Sequence, residues 1–354
     1  MKIKFVSKAL ISLACFTLLT ACTKSQEPVK QTDSATVLQE EFNVPQGQEQ
    51  LYLLHKSLST KKEYTSDEVI LFLEPFSVPT AKAFDVPQYS WMEEYASKGY
   101  DTWAMDFRGF GNSSRPKEMS APALDNPPVI HVDDATQDLE TVVKWIQTKR
   151  NVSKIHIVGW SYGGVVAGNY AISHPQDINK LVLYGYMHGF TLPMMTKPFE
   201  NPKKAGQFNP SLPAYQVVDY EKGMHHWHMM IGDKKIVEND SMTAVKDVFL
   251  SSDPQSDQNK GAVRRPFGPL EDLFSIWSNK PLYDASKISV PTLVIYGKDD
   301  LFADQGMLNK LTGTQEKKEV VIPDATHWAI YEKNRDTLMQ ETLKFLTDEE
   351  GGKK

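Results

Sequence analysis

Short apolar runs alternate with longer helical patterns along most of the chain. The runs that predict strands lie at residues 40–44, 50–55, 69–73, 102–105, 154–158, 181–184, 292–296 and 319–322. Helical patterns cover residues 90–98, 133–148, 162–173 and 331–346, the last with apolar positions at the spacing of one helix face. Strands that alternate with helices predict an α/β fold with a mostly parallel central sheet flanked by helices.

The alternation is interrupted once, between the predicted strands at residues 181–184 and 292–296. About a hundred residues separate these two strands, whereas a crossover between parallel strands needs roughly 12 to 30. We therefore expect a cap subdomain inserted at residues 187–289. The two parts of the core would then be residues 39–186 and residues 290–354.

Residues 1–21 are predicted to be a lipoprotein signal peptide. A head containing Lys2, Lys4 and Lys8 precedes a 13-residue, mostly apolar stretch, which is shorter than the roughly 18 residues that span a bilayer. The stretch ends in Leu19-Thr20-Ala21-Cys22, which resembles the lipobox of bacterial lipoproteins, where cleavage before the cysteine leaves it to carry acyl chains. The alternative is a plain secretory peptide in which this cysteine occurs by chance.

Cys22 is thus the expected lipidation site, and the polar residues 22–38 are expected to form a flexible tether. The second cysteine, Cys15, lies in the segment predicted to be removed, so the exported domain would hold no other thiol, as suits an oxidising compartment without disulfides. We expect a domain on the extracytoplasmic side of the bacterial cell envelope, bound to a membrane through its lipid.

The composition is that of a globular domain, with 40% hydrophobic and 24% charged residues. A net charge of −6 offers no basic field for a phosphate backbone, so nucleic acid is not an expected partner. No Walker-type loop, dinucleotide fingerprint or zinc pattern occurs, and no cofactor or metal is expected. A metal site at Glu221, His225 and His228 is the weaker alternative, because their helical spacing also fits core packing or a solvated face.

A serine lies where a predicted strand ends and a helix begins, in Gly159-Trp160-Ser161-Tyr162-Gly163. Glycines at both second neighbours permit a very tight turn that lifts the hydroxyl out of the sheet edge, and the following helix directs its N-terminal dipole at developing negative charge. Ser161 is therefore the candidate nucleophile. The alternative is a structural turn with an incidental serine.

A nucleophilic serine needs a base, and the base needs a carboxylate to orient it. Of the nine histidines, His327 is the one that follows a later strand-end carboxylate, and it lies in a loop before the final predicted helix. Asp299 and Asp300 both follow the preceding strand. The order of residues alone leaves both carboxylates as candidates.

At these residues the chain resembles the α/β-hydrolase family, over about residues 51–346. Serine, aspartate and histidine occur in the family's order, and Asp106-Phe107-Arg108-Gly109-Phe110-Gly111-Asn112-Ser113 is similar to the family's turn after its fourth strand. The resemblance implies an α/β-hydrolase fold and, through the Gly-x-x-Asp spacing, Asp300 rather than Asp299 as the acid. It also implies that Arg108 braces the loops around the site; an arginine that merely ties down a surface turn is the alternative.

The resemblance further implies an oxyanion hole formed by the backbone N–H groups of Tyr162 and Phe76. The family commonly has His-Gly after its third strand, but here Glu74-Pro75 stands in that place. Pro75 has no N–H, whereas the amide of Phe76 is retained. Glu74 itself is expected to be a solvated or hydrogen-bonded loop acid.

The residues together predict a cofactor-independent serine hydrolase that cleaves an ester, thioester, lactone or small amide. Family members that act on epoxides or haloalkanes use Asp where Ser161 stands, so those reactions are not expected. An aminopeptidase or a carbon–carbon bond hydrolase would use the same triad. The alternative outside catalysis is a binding lipoprotein that keeps the fold.

The predicted cap is rich in methionine and aromatic residues, with six of the thirteen methionines between Met187 and Met230. Met224, Trp227, His228 and Ile231 recur at helical spacing and form one apolar stripe. The stripe is either the core of the cap or the roof of a cleft above Ser161. In the second case the expected partner is a small molecule with an apolar acyl group rather than a charged substrate.

Overall fold

The first two predicted strands form a hairpin at one edge of an eight-stranded sheet. The computed structural model describes residues 35–238 and 240–348. The predicted signal peptide, Cys22 and residues 23–34 of the predicted tether lie outside the described residues. The first strand begins at Val37, so the last two residues of the range predicted for the tether lie in a strand.

The strands are β1 (Val37–Gln46), β2 (Glu49–Leu58), β3 (Val69–Leu73), β4 (Asp101–Met105), β5 (Ile155–Trp160), β6 (Ile178–Tyr184), β7 (Glu200–Asn201), β8 (Lys204–Phe208), β9 (Tyr215–Asp219), β10 (Ala262–Pro266), β11 (Thr292–Gly297) and β12 (Lys317–Ile322). The α-helices are α1 (Trp91–Ser97), α2 (Val132–Arg150), α3 (Tyr162–Ser173), α4 (Pro193–Thr196), α5 (Tyr220–Gly223), α6 (His225–Ile231), α7 (Ser241–Ser251), α8 (Gly268–Trp277), α9 (Met307–Lys310) and α10 (Arg335–Thr347).

The central sheet has the strand order β1-β2-β4-β3-β5-β6-β11-β12. β2 pairs antiparallel with both of its neighbours, β1 and β4, and every other pairing in this sheet is parallel. The carboxyl ends of β3, β5, β6 and β11 therefore meet at one edge. The prediction of a mostly parallel sheet flanked by helices is confirmed.

Helices cover both faces of the sheet. Leu71 and Ile157 pack in one cluster with α2 and α3, whereas Ile70 and Val158 pack in a second cluster with α1 and α10. Because side chains alternate across a strand and both faces are covered, β3 and β5 are buried along their whole length. This double burial is why the strands appear in the sequence as continuous apolar runs.

The segment between β6 and β11 carries two small antiparallel hairpins, β7 with β8 and β9 with β10, together with helices α4 to α8. None of its strands joins the central sheet. No helix in residues 35–238 or 240–348 has both the length and the apolar character needed to cross a membrane.

The last helix begins later than the sequence pattern predicts. The apolar residues Ala329–Tyr331 form a 3-10 helix, and α10 starts at Arg335. Between them the buried carboxylate of Glu332 accepts hydrogen bonds from the backbone N–H of Thr326 (2.8 Å) and the indole of Trp227 (3.0 Å). These bonds hold the segment against its neighbours, so a helical pattern that is continuous in sequence is interrupted in the fold.

Candidate active site

Ser161 occupies the turn between β5 and α3 in a backbone conformation that is rare for a residue with a side chain. Its φ is 59° and its ψ is −122°, outside the ordinary regions for an L-residue. A Cβ at Gly159 would lie 2.6 Å from the carbonyl oxygen of Gly163, and a Cβ at Gly163 would overlap the carbonyl oxygen of Leu73. The two glycines are therefore required for this turn, and the structure places Ser161 as the motif predicts.

His327 and Asp300 form a buried pair at the same edge of the sheet. The Nδ1 atom of His327 lies 2.9 Å from Oδ2 of Asp300. The other carboxylate oxygen accepts hydrogen bonds from the backbone N–H groups of Phe302 (2.8 Å) and Ala303 (3.2 Å). With Nδ1 donating to a carboxylate, Nε2 of the neutral ring is left as a proton acceptor, which is the state a general base needs.

Asp299 is directed elsewhere. Its Oδ2 lies 2.5 Å from Nζ of Lys234 in a partly exposed ion pair. Asp300 is almost completely buried, whereas a third of the Asp299 side chain is exposed. The structure therefore brings Asp300, and not Asp299, against His327.

The loop of His327 is fastened to the strands on either side of the nucleophile turn. The backbone carbonyl of His327 accepts hydrogen bonds from the indole of Trp160 (3.1 Å) and the hydroxyl of Tyr184 (2.9 Å). The carbonyl oxygen of Tyr184 in turn accepts a hydrogen bond of 2.9 Å from the backbone N–H of Ser161. These bonds tie the candidate nucleophile and the candidate base to one rigid frame.

Phe76 and Tyr162, the predicted oxyanion donors, lie on adjacent segments. Gly163 in the first turn of α3 packs against the backbone carbonyl of Glu74, so the loop that carries Phe76 runs beside the helix N-terminus. As the first residue of α3, Tyr162 has an N–H without an acceptor inside the helix. Its hydroxyl donates a hydrogen bond of 2.7 Å to Asp272 on α8, which fixes the ring.

Glu74 and Arg108, two other polar residues predicted to lie near the site, both bind other residues of the chain through their side chains. Glu74 is buried rather than solvated: Oε1 accepts a hydrogen bond of 2.8 Å from the N–H of Phe107, and burial, followed by the charge of Asp106, raises the pKa of Glu74 well above its usual value. The guanidinium Nε of Arg108 lies 2.7 Å from Asp138 on α2, so Arg108 ties its turn to that helix.

Ser161 opens into a cavity of about 550 Å³ between the core and the inserted segment. Its apolar lining residues include Phe76, Met187, Met195, Phe199, Leu273, Trp277 and Phe302. The ring of Phe302 stands edge-on to that of His327, with the ring centroids 5.1 Å apart. A hydrophobic cavity of this size beside a candidate nucleophile can hold a small organic substrate.

The apolar stripe on α6 belongs to the core and does not line this cavity. Met224 and Trp227 are completely buried, and Trp227 stacks on Trp328 at 5.4 Å. For these two residues the interpretation as a cleft roof is wrong, because both lie in a core cluster in which Trp227 packs against Trp328 and Tyr331, ahead of α10. Met187 and Met195, from the same methionine-rich stretch, do line the cavity.

The sequence indicated no role for three polar residues of the cavity wall, Gln216, His226 and Arg265. His226 lies 3.3 Å from the hydroxyl of Ser77. Burial, followed by the nearby His327 and Arg265, lowers the pKa of His226 well below its usual value. These residues lie in the inserted segment without a recognisable motif, so no sequence signal distinguishes them from other polar residues there. In the described residues, no group of three or more His, Cys, Asp or Glu side chains is placed to hold a metal ion.

The sequence profile of the family described as alpha/beta hydrolase fold matches residues 81–334. Epoxide hydrolase 3 of Xenopus tropicalis is 25% identical over 252 residues, which make up 68% of this chain and 63% of that protein. The match thus spans less than two thirds of that relative. The 2-hydroxy-6-oxononadienedioate/2-hydroxy-6-oxononatrienedioate hydrolase of Cupriavidus pinatubonensis is 24% identical over 243 residues, or 68% of this chain and 74% of that protein.

Among solved structures, 2-hydroxy-6-oxo-6-phenylhexa-2,4-dienoate hydrolase from Rhodococcus is similar to this chain with a TM-score of 0.58 and 16% identity. The superposition covers 88% of this chain and 100% of that one. At this identity the similarity concerns the fold. The eight-stranded sheet and the strand-to-helix turn that carries Ser161 are thus set in an architecture seen in hydrolases.

Proposed function

The chain belongs to the α/β-hydrolase fold family and is a hydrolase of that type, and on this premise we propose that it is a carboxylesterase-like serine hydrolase that cleaves an ester, thioester, lactone or small amide. The observation that carries the proposal is the buried His327–Asp300 pair, 2.9 Å apart, fastened to the strained turn of Ser161. This backbone conformation costs free energy, and residues in such conformations are concentrated at active sites.

In the proposed mechanism, Oγ of Ser161 attacks the substrate carbonyl carbon while Nε2 of His327 accepts the hydroxyl proton. Asp300 holds the ring and stabilises the imidazolium that forms. The oxyanion of the tetrahedral intermediate accepts hydrogen bonds from the N–H groups of Tyr162 and Phe76, each worth about 3 to 4 kcal/mol in the transition state. His327 then protonates the leaving group, and water hydrolyses the acyl-enzyme by the same steps.

The residue at the nucleophile position separates this proposal from the chemistry named in some relatives. Several relatives are called epoxide hydrolases. The family resemblance implies an Asp nucleophile for epoxide opening, whereas this chain has Ser161 at that position. An aminopeptidase or a carbon–carbon bond hydrolase would use the same three residues, so substrates of both classes belong in the assay. A binding protein without catalysis is the remaining alternative.

Labelling with a fluorophosphonate, followed by a panel of acyl esters, lactones and aminoacyl amides, tests the proposal. Wild-type protein should be labelled covalently, and Ser161→Ala should abolish both labelling and turnover while the protein stays folded by circular dichroism. Labelling that survives in Ser161→Ala would remove Ser161 from the mechanism. A folded wild-type protein that is neither labelled nor active would favour the binding alternative.

We further propose that the protein is exported and anchored to a membrane of the bacterial cell envelope through lipid on Cys22. The support is the charged head, the apolar stretch and the Leu19-Thr20-Ala21-Cys22 sequence, which resembles a lipobox. Wild-type protein should partition into detergent with membranes, and Cys22→Ser should leave the precursor unlipidated. Wild-type protein found entirely in a soluble periplasmic fraction would contradict the anchor.

A further inference from the structure

Two residues of one small hairpin line the cavity, and each has a buried N–H donor without an acceptor. Arg265 on β10 and Gln216 on β9 stand opposite each other in the antiparallel register, and both line the cavity that contains Ser161. In the described residues, neither Nε of Arg265 nor Nε2 of Gln216 has a hydrogen-bond partner. Buried donors normally have partners, so this pair indicates a group that is supplied from outside the chain.

Arg265 is also a buried cation without a carboxylate. It is 5% exposed, and its Nη1 makes long hydrogen bonds to the backbone carbonyls of Phe76 (3.4 Å) and Ser77 (3.3 Å). None of the ion pairs between described residues includes Arg265, whereas the neighbouring Arg264 holds Asp253 through two hydrogen bonds of 2.8 and 2.9 Å. Burial lowers the pKa of Arg265 to about 9, which leaves the guanidinium charged at neutral pH.

No other group of the cavity wall neutralises this charge. The described lining residues include no Asp or Glu. Lys222 also lines the cavity, but its side chain is mostly exposed and pairs with Asp219 at 3.4 Å. His226 is neutral at pH 7, since its pKa lies well below the usual value. One uncompensated positive charge therefore remains, and an unpaired buried charge costs several kcal/mol.

We propose that the cavity binds a substrate that carries a carboxylate, held by Arg265 and Gln216, while its scissile carbonyl lies at Ser161. A carboxylate matches the site in charge and in shape, because one anion balances one guanidinium and its two oxygens can accept from the planar donors of arginine. A phosphate dianion would leave an excess negative charge in an apolar chamber. The part of the substrate between carboxylate and carbonyl packs against the apolar wall. This inference rests on the proposed hydrolase function and replaces the uncharged substrate that the sequence predicts.

Two esters of matched length test the proposal: the mono-p-nitrophenyl ester of adipic acid, which has a free carboxylate, and p-nitrophenyl hexanoate, which has none. Wild-type enzyme should prefer the adipate ester in kcat/KM. In Arg265→Met this preference should fall roughly 100-fold, as when one partner of a buried charge pair is removed. Arg265→Lys should restore part of it, and Gln216→Leu should lower it less. Arg264→Met is the matched control; it breaks an ion pair outside the cavity, so the preference should stay at the wild-type value.

A purely structural role for Arg265 gives a different result. Arg265 lies over the ring of Phe76 at 4.5 Å, so it could simply support the loop of the oxyanion donor. In that case Arg265→Met would lower kcat/KM equally for both esters and leave their ratio unchanged. That outcome, or a wild-type enzyme without preference for the carboxylate ester, would overturn the proposal.

Binding measured without turnover separates this proposal from the proposed reaction. Adipate should raise the melting temperature of Ser161→Ala and should have a much smaller effect on Ser161→Ala/Arg265→Met. If adipate binds in this way but the wild-type protein cleaves no ester, the carboxylate site is supported and the hydrolase mechanism is refuted. If the wild-type protein cleaves both esters at equal rates and adipate does not bind, the carboxylate site is refuted and the proposed hydrolase activity is supported.

Discussion

The hydroxyl of Tyr184 donates a hydrogen bond of 2.9 Å to the backbone carbonyl of His327. The same hydroxyl accepts a hydrogen bond of 3.2 Å from the N–H of Ile330, and the carbonyl of Tyr184 accepts one from the N–H of Ser161. One residue at the end of β6 therefore positions both the candidate nucleophile and the loop of the candidate base.

Tyr184→Phe removes one oxygen and leaves the ring in place. The N–H of Ile330 loses its acceptor in a buried environment, so the free energy of unfolding should fall by about 1 to 3 kcal/mol. The backbone carbonyl of His327 loses one of the two side-chain hydrogen bonds that it accepts, and kcat/KM should fall about tenfold, or about 1.4 kcal/mol in the transition state. Stopped-flow turnover and urea unfolding measure the two effects. An unchanged kcat/KM would show that the Tyr184 bond is not needed to position His327.

The two adjacent aspartates should differ strongly in their effect on turnover. Asp300→Asn replaces the acceptor of the His327 Nδ1 proton and favours the wrong tautomer, so kcat should fall by about four orders of magnitude. Asp299→Asn loses one partly exposed ion pair with Lys234, and kcat should change less than about threefold. Steady-state measurements of kcat on both variants identify which aspartate is the partner of His327. The reverse ranking would assign the acid to Asp299.

The sequence predicts the core well because its physical constraints are local or topological. A strand buried on both faces must be apolar throughout, and the turn at Ser161 leaves no room for side chains at Gly159 and Gly163. The carboxyl ends of β5, β6 and β11 meet in three dimensions by the topology of a parallel sheet. The strands and the neighbourhood of His327 and Asp300 can therefore be expected from short patterns in one sequence.

The cavity wall could not be predicted in this way. Arg265 and Gln216 meet because β9 and β10 pair across more than forty intervening residues, and neither strand has a repeating pattern that fixes their register. The stripe of Met224 and Trp227 has the same spacing whether it packs inside the core or roofs a cleft. Which neighbour covers a helix depends on tertiary packing, which amphipathic spacing does not specify.

Gly185 follows Tyr184 and leaves room for the candidate catalytic pair, His327 and Asp300. Its φ is +54°, and a Cβ there would lie 2.9 Å from Nδ1 of His327 and 3.1 Å from Oδ2 of Asp300. Gly185→Ala should displace the pair and lower kcat/KM by about 100-fold. Gly206→Ala is the matched control: Gly206 has a φ of +74° with nothing within 4 Å of its Cβ position, so it carries similar backbone strain of about 1–2 kcal/mol without the contact. Equal activities of the two variants would show that the methyl group is accommodated.

Trp227 and Met195 distinguish the core of the inserted segment from the wall of the cavity. Trp227→Ala should lower the free energy of unfolding by about 3 to 5 kcal/mol and leave the preference among ester chain lengths unchanged. Met195→Ala enlarges the cavity and should shift that preference about tenfold toward longer chains, with a small loss of stability. The preference is measured as kcat/KM for esters of increasing acyl chain length, and the stability by thermal unfolding, in both variants. A changed chain-length preference in Trp227→Ala would indicate that Trp227 on α6 contributes to the wall of the cavity.

His156 provides a test of stability against pH at a position away from the cavity. It lies in β5, is completely buried, and its Nε2 is 3.2 Å from the backbone carbonyl of Asp67. Burial, which outweighs the attraction of Asp67, lowers the pKa of His156 to about 4, against 6.5 for the ordinary group. Below pH 6.5 the unfolded chain therefore binds a proton at His156 that the folded chain does not bind. The free energy of unfolding falls as the pH falls from 6.5 toward 4.

His156→Gln removes this linkage and keeps a side-chain donor in the strand. The loss of unfolding free energy between pH 7 and pH 5 should be smaller by about 2 kcal/mol in His156→Gln than in the wild type, since each pKa unit corresponds to about 1.4 kcal/mol. Asp138 and Asp272, whose pKa values burial raises to about 6, act in the opposite direction and are the same in both proteins, so the comparison cancels them. Urea unfolding at the two pH values measures the difference, with the exposed His225→Gln as the control that should behave as wild type. A pH dependence in His156→Gln equal to that of the wild type would mean that His156 does not resist protonation in the folded protein.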